Sequence, residues 1–221
     1  MKTIKERIKT QLEKIPILFR IMQIRLIKKR EILDKKYLKQ WQEKDKKGPS
    51  PHFIKRQTVK EFSKKYSLET LVETGTYLGE MIWATKNNFK EIHSIELNEN
   101  LYKRSKRLFS NNKNINLHLG DSGEILQKIL KEIKKPCLFW LDAHYSSGIT
   151  ARGNLDTPII KELEIILNSP VKNHVILIDD ARCFIGENDY PTLNELESFI
   201  KEKSSYTKFE VKDDIIRIYN K

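Results

Sequence analysis

The sequence predicts a doubly wound α/β domain behind a helical arm, and three observations carry that prediction. Short strand-like runs alternate with helical stretches of about ten residues, the pattern of βαβ units and a mostly parallel sheet. Two of those runs, Cys137-Leu138-Phe139-Trp140-Leu141 and the segment from His174 to Ile178, are almost wholly apolar, as strands buried on both faces are. The last two runs, 208–211 and 215–219, flank Asp213-Asp214 with no room for a helix, which predicts an antiparallel edge.

At 221 residues the chain is long enough for one such domain and a short appendage. Its net charge of +12 is unevenly placed, with +10 in residues 1–48 and only +2 in the rest. The basicity belongs to the arm. Two cysteines and no Cys-x-x-Cys spacing exclude a disulfide framework and a zinc ribbon, so a reduced, cytoplasmic setting is expected. No apolar run approaches the ~20 residues of a spanning helix. The opening MKTIKERIKTQLEK has no signal-peptide core.

Residues 1–47 hold no glycine and one proline, Pro16, and read as helix. The stretch from Ile15 to Ile27 is its most apolar part, but Arg20 and Arg25 interrupt the surface and no clean stripe forms. Three readings of the arm stay open: packing on its own domain or a second copy, contact with an anionic membrane surface, or a nucleic-acid arm. Lys46-Lys47-Gly48-Pro49-Ser50-Pro51 is turn chemistry and marks the boundary, giving an arm of 1–48 and a domain of 49–221.

Within the domain, helix is expected at 58–65, then strand at 70–73 running into glycines, and helix again at 79–85. Strand 91–96, helix 99–109, strand 115–119 and helix 122–133 follow. Pro136 introduces the first fully apolar strand. Thr157 and Pro158 open a helix to 167, by cap and by proline at the first helical position. Thr192-Leu193-Asn194-Glu195 is a capping box opening the last helix.

Ligands in such sheets bind outside the carboxyl ends of the strands. Each of the first five strands ends in acids: Glu73, Glu96, Asp121, Asp142, and the pair Asp179-Asp180. Carboxylates gathered on one edge repel one another, so stability alone gives no reason for the pattern. Glu73-Thr74-Gly75-Thr76-Tyr77-Leu78-Gly79 supplies a tight turn before a helix, yet it is neither a GxGxxG nor a P-loop. Glu96, ending the next strand, is placed to accept both hydroxyls of a ribose. An acidic loop of this kind disfavours a pyrophosphate and suits a nucleoside bearing a cationic group.

ETGTYLG, SIELNENL, GDSGEIL and FWLDAH, in that order, resemble the class I S-adenosylmethionine-dependent methyltransferases over roughly residue 58 to the C-terminus. The resemblance implies a Rossmann-like, seven-stranded sheet with an antiparallel last strand. It puts Glu73, Thr74, Gly75, Thr76 and Gly79 at the methionine end, Glu96 on the ribose, and Asp121 with Ser122 beside the adenine. A narrower similarity, to the metal-dependent sugar O-methyltransferases like macrocin O-methyltransferase, implies Mg²⁺ on Asp142, Asp179 and Asp180. Three converging carboxylates are costly without a cation, and all-oxygen ligation suits Mg²⁺. The implied activity is Mg²⁺-assisted methylation of a sugar or glycan-like hydroxyl, as in glycan biosynthesis.

His144 is the candidate general base, or alternatively a hydrogen bonder to the metal acids; Asp142 could take the proton itself. His52, His93, His118 and His174 read as structural. Arg152 and Arg182 are candidates for an anionic acceptor, Tyr77 and Tyr145 for the mouth, and residues 145–156, with Gly148 and Gly153, for a closing loop. Two rivals remain: a metal-independent methyltransferase of protein, lipid or nucleic acid, and a non-catalytic membrane- or RNA-binding protein. Scattered tryptophans offer no base-stacking platform, so nucleic acid is the least expected partner.

Overall fold

The computed structural model describes residues 15–143, 157–206 and 208–221. Helix α1 (Pro16–Glu43) is followed by a turn and helix α2 (His52–Lys65). The domain continues β1 (Thr70–Thr74), α3 (Glu80–Thr85), β2 (Glu91–Glu96), α4 (Glu99–Leu108), β3 (Ile115–Leu119) and α5 (Ser122–Glu132). Then come β4 (Leu138–Leu141), α6 (Ile159–Leu167), β5 (Val175–Ile178), α7 (Leu193–Lys203), β6 (Lys208–Lys212) and β7 (Ile215–Tyr219).

The seven strands run in the order β3-β2-β1-β4-β5-β7-β6. The first five are parallel, and β7 is antiparallel to both β5 and β6. Asp213 and Asp214 both take positive φ, 55° and 58°, the backbone a tight hairpin demands. The chain winds outward from β1 through β2 and β3 on one side and through β4 and β5 on the other, so a topological switch point lies between β1 and β4.

Alternate residues of each strand feed two cores. Phe139, Leu141, Ile176 and Ile178 pack with α5, α6 and α7 on one face. Leu138, Trp140, Val175 and Leu177 pack with α1, α2 and α4 on the other. Each fully buried aliphatic side chain contributes about 1.5–3 kcal/mol. Caps fix the helix starts: Asn98 accepts from the backbone of Asn100 and Leu101, and Thr192 with Glu195 completes the capping box.

One element differs from the expectation, and the arm helix takes the first of its open placements. Helix α2 begins at His52, six positions before residue 58, with Pro51 at φ −58° leading into it; the Pro-rich run that looked like linker is a helix start. Helix α1 lies on the domain. Its buried residues Phe19, Gln23, Ile27, Asp34 and Trp41 share one face, and two of them are polar. Gln23 accepts from Arg104 at 2.6 Å, and Asp34 accepts from Arg56 at 2.7 Å. Those paired polar positions are why the sequence shows no apolar stripe.

Candidate functional site

Parallel register brings the ends of β1 to β5 to one edge, with Thr74 level with Ile95 and Leu141, and Leu141 level with Ile178. Asp142 and Asp179 therefore emerge side by side from neighbouring strands, and Glu96 emerges at the same edge with β1 between it and them. A cleft of about 420 Å³ opens at the switch point, with Glu73, Gly75, Thr76 and Asp142 in its floor. Its other walls come from upstream: Arg30, Asp34 and Tyr37 of α1, and His52, Lys55 and Arg56 of α2.

The turn after β1 is built to approach β4 closely. Gly75 has φ +85°, and a Cβ there would lie well inside van der Waals contact of the Asp142 carbonyl oxygen. Gly79, at φ +73°, would press a Cβ to 2.7 Å from the Phe109 ring. The side chains of Thr74 and Thr76 are committed inward. Thr74 Oγ1 accepts from the Asp142 backbone at 3.3 Å, and Thr76 Oγ1 shares a 2.6 Å hydrogen bond with Ser94 Oγ. The Gly75 and Thr76 N–H groups turn inward as well, both donating to the Ile95 carbonyl, at 3.0 and 3.1 Å.

Glu73 is buried and accepts from Ser94 Oγ at 2.5 Å. Burial pushes its pKa up to about 8; the Ser94 bond opposes this, and Asp142 and Glu96 add to it. Burial thus favours the protonated, neutral form of Glu73. Glu96 accepts backbone N–H groups of Tyr77 and Asn98, each at 2.8 Å, one on each oxygen. Burial raises its pKa while those bonds work the other way. The backbone of Leu97 adds a further hydrogen bond to the same carboxylate. Glu96 lies one strand away from the cleft floor and outside its lining.

Asp121 stands before α5, 3.9 Å from Lys161, and Ser122 is buried. Ser122 and Thr74 hydrogen-bond the buried Glu162 of α6, an acid the sequence reading passed over. Burial pushes Glu162 up to about 7. Ser122 thus faces the interior, and Asp121 alone of the pair is partly open beside Glu96.

The acids of β4 and β5 carry the largest surprise. Lys55 Nζ donates to Asp179 Oδ2 at 2.5 Å and lies 3.3 Å from Asp180 Oδ1, with all three side chains nearly sealed from solvent. Burial works against the Lys55 ammonium, but Asp179, Asp142 and Asp180 more than reverse that and hold its pKa above the usual lysine value. Asp179 is raised by burial and by Asp142, against the pull of Lys55. Asp180, in the left-handed region at φ 56°, also accepts from Arg182 at 2.7 Å. Arg182 pairs with Asp214 as well, so this candidate for an acceptor anion is occupied within its own domain.

The donor set Asp142, Asp179 and Asp180 has the right chemistry for Mg²⁺, but its arrangement does not fit one. A lysine ammonium stands on two of the three acids. Among the described residues no three His, Cys, Asp or Glu side chains gather closely enough to hold a metal ion. The nucleoside side does fit: a glycine turn with no room for a Cβ lies beside the strand-end acid Glu96.

His144, Tyr145, Arg152 and the expected closing loop 145–156 lie outside the described residues. His174 is structural, accepting the Cys137 N–H at 3.1 Å with its pKa pushed down to about 4 by burial. His93 and His118 share a 3.1 Å contact away from the cleft. His52, expected to be structural, instead borders the cleft.

Sheet order, switch point and carboxyl-edge cleft together define the class I methyltransferase fold. The chain is similar to the S-adenosylmethionine-bound O-methyltransferase TomG of Streptomyces achromogenes, involved in tomaymycin synthesis (TM-score 0.57, 12% identity, covering 85% of this chain and 89% of that one). It is similar also to the S-adenosylhomocysteine-bound methyltransferase PaMTH1 of Podospora anserina (TM-score 0.58, 15% identity, 100% and 98% covered). A third is an O-methyltransferase of Bacillus cereus in complex with S-adenosylhomocysteine (TM-score 0.56, 13% identity, 76% and 81% covered). No family model and no curated protein matches the sequence.

Proposed function

We propose that this protein is an S-adenosylmethionine-dependent O-methyltransferase acting on a hydroxyl of a sugar or glycan-like acceptor. The observation that supports it most is the shared edge: the Gly75 turn and Asp142 line one switch-point cleft, and Glu96 ends the adjacent strand β2 beyond that lining. The cofactor, when bound, supplies a methyl group on a cationic sulfur. Glu96 would hold the ribose, the floor at Glu73, Gly75 and Asp142 would seat the amino-acid end, and Asp142 there favours the positive charge. Asp142, partly exposed in that floor, would accept the hydroxyl proton as the oxygen attacks in line. Holding the two reactants in register supplies much of the acceleration. Tyr37 and Tyr77, both exposed, with Arg30 give the cleft aromatic faces and a planar charged group suited to a polyhydroxylated ring. Because Lys55 stands on the acids, no step here runs through a metal.

Calorimetry with S-adenosylhomocysteine tests the cofactor. Binding that falls at least tenfold in Glu96→Ala, about 1.4 kcal/mol or more, is expected. Absence of binding to the native chain overturns the proposal. Methyl transfer from radiolabelled cofactor to a panel of sugar nucleotides, phenols and proteins then tests the acceptor class; label on protein or phenol alone removes the sugar.

A second observation favours a location. On the side of α1 away from the domain, Ile17 (69% exposed), Ile21 and Ile32 (70% exposed) stand among the exposed Lys28, Lys35 and Lys39. No helix among the described residues is long and apolar enough to cross a membrane. We propose that this face rests on an anionic lipid surface, its aliphatic tips inserted and its ammonium groups at the headgroups. Sedimentation with phosphatidylserine vesicles should fall with added salt and with Ile17→Glu/Ile32→Glu. Vesicle binding unchanged in that variant, or none at low salt, overturns it.

A further inference from the structure

Lys55 belongs to α2, and its ammonium crosses 124 residues of sequence to reach Asp179 and 125 to reach Asp180. Its side chain is 9% exposed and that of Asp179 is 1% exposed, so this is an interior ion group. Burying two adjacent carboxylates without a cation is costly by several kcal/mol per charge. Something positive must stand there, and the chain brings its own. A primary ammonium has three N–H donors and no acceptor, so it satisfies acids as a compact point charge, much as a hard ion does. Because Lys55 also lines the cleft beside Asp142, the charge faces the acceptor side rather than the outer surface.

We infer that Lys55 is a built-in cation standing where a divalent ion would otherwise bind Asp142, Asp179 and Asp180, so that the site is complete without metal. The inference bears on the methyl-transfer reading, since it makes that transfer independent of divalent ions, but its test reads cation binding and not turnover. Removing the ammonium leaves Asp179 without its cation, Asp180 on Arg182, and Asp142 nearby. That arrangement would then recruit an external cation through all-oxygen ligation.

The full-length protein and its Lys55→Ala, Lys55→Met and Lys55→Arg variants are titrated with MnCl₂, followed by the loss of the free-ion paramagnetic resonance signal and by thermal shift. The native chain and Lys55→Arg should show no site below millimolar Mn²⁺. Lys55→Ala should melt lower and bind one Mn²⁺ at least tenfold more tightly than the native chain, with the melting temperature recovering as metal is added. Adding Asp179→Asn should remove the gained site. Lys55→Met keeps the aliphatic stem, so the same gain there answers the question if the alanine variant does not fold. Native protein binding Mn²⁺ as tightly as the variants overturns the inference, because the lysine would then be displaceable. So does a failure of both Lys55→Ala and Lys55→Met to bind. Loss of S-adenosylhomocysteine binding in the native chain would count against the methyl-transfer reading alone and leave the cation result standing.

Discussion

The two halves of the carboxyl edge are built in opposite ways. On the β1–β2 side, a contiguous turn from Glu73 to Gly79 meets Glu96 from the adjacent strand, and the contacts are short in sequence: Tyr77 and Asn98 both donate to Glu96. On the β4–β5 side, Asp142, Asp179 and Asp180 are organised by Lys55, which comes from a helix before the first strand. The first half is backbone shaped by glycines; the second is charge balanced by a distant side chain. Backbone geometry written into one stretch tolerates little change, whereas a charge balance can be re-made by another cation.

That contrast orders the expected effects. Gly75→Ala should be the most damaging change, because it adds strain at φ +85° to a backbone collision with Asp142; a loss of about 3 kcal/mol or more in urea unfolding is expected, with cofactor binding lost alongside. A stable Gly75→Ala that still binds S-adenosylhomocysteine would erase the distinction between the halves.

Glu73 gives a smaller effect with a defined sign. Its folded pKa of about 8 lies above the ordinary value of 4.5. The native chain therefore keeps a proton that the unfolded chain gives up between those values, and the stability linked to that proton, full below about pH 4.5, drains away as pH rises toward 8. The native protein should lose about 2–4 kcal/mol over that window from this group, and Glu73→Gln should flatten the profile. An unaltered slope in the variant would move the effect to Glu162, raised to about 7 by the same kind of burial.

Much of the fold was legible because its signals are local. Apolar runs at 137–141 and 174–178 have no other use than strands covered on both faces, and they occupy β4 and β5. The acids at the strand ends were legible for the same reason, since each terminates a recognisable run. What balances them was not. Lys55 is one lysine in a polar helical stretch, with nothing around it to mark it apart from Lys60 or Lys64. Arg56 and Asp34 were equally silent, and their 2.7 Å pairing is what makes a charged position of α1 an interior one. His52 was discounted because it follows Pro51 in what looked like linker; the helix starting there turns it to the cleft. Turn chemistry drew the boundary at residue 48 and charge counts set the arm apart, yet a net charge describes what a helix shows to water, not what it covers.

Helix α1 has a practical consequence. Trimming the chain at Gly48, the obvious choice for anyone preparing a minimal catalytic fragment, would remove Arg30, Asp34 and Tyr37 from one wall and uncover the apolar surface beneath Phe19, Ile27 and Trp41. Such a fragment would present a shallower basin to any inhibitor screen, with Arg56 deprived of its counter-charge and Arg104 of its amide partner. Compounds selected on it would be fitted to a shape the intact molecule does not offer.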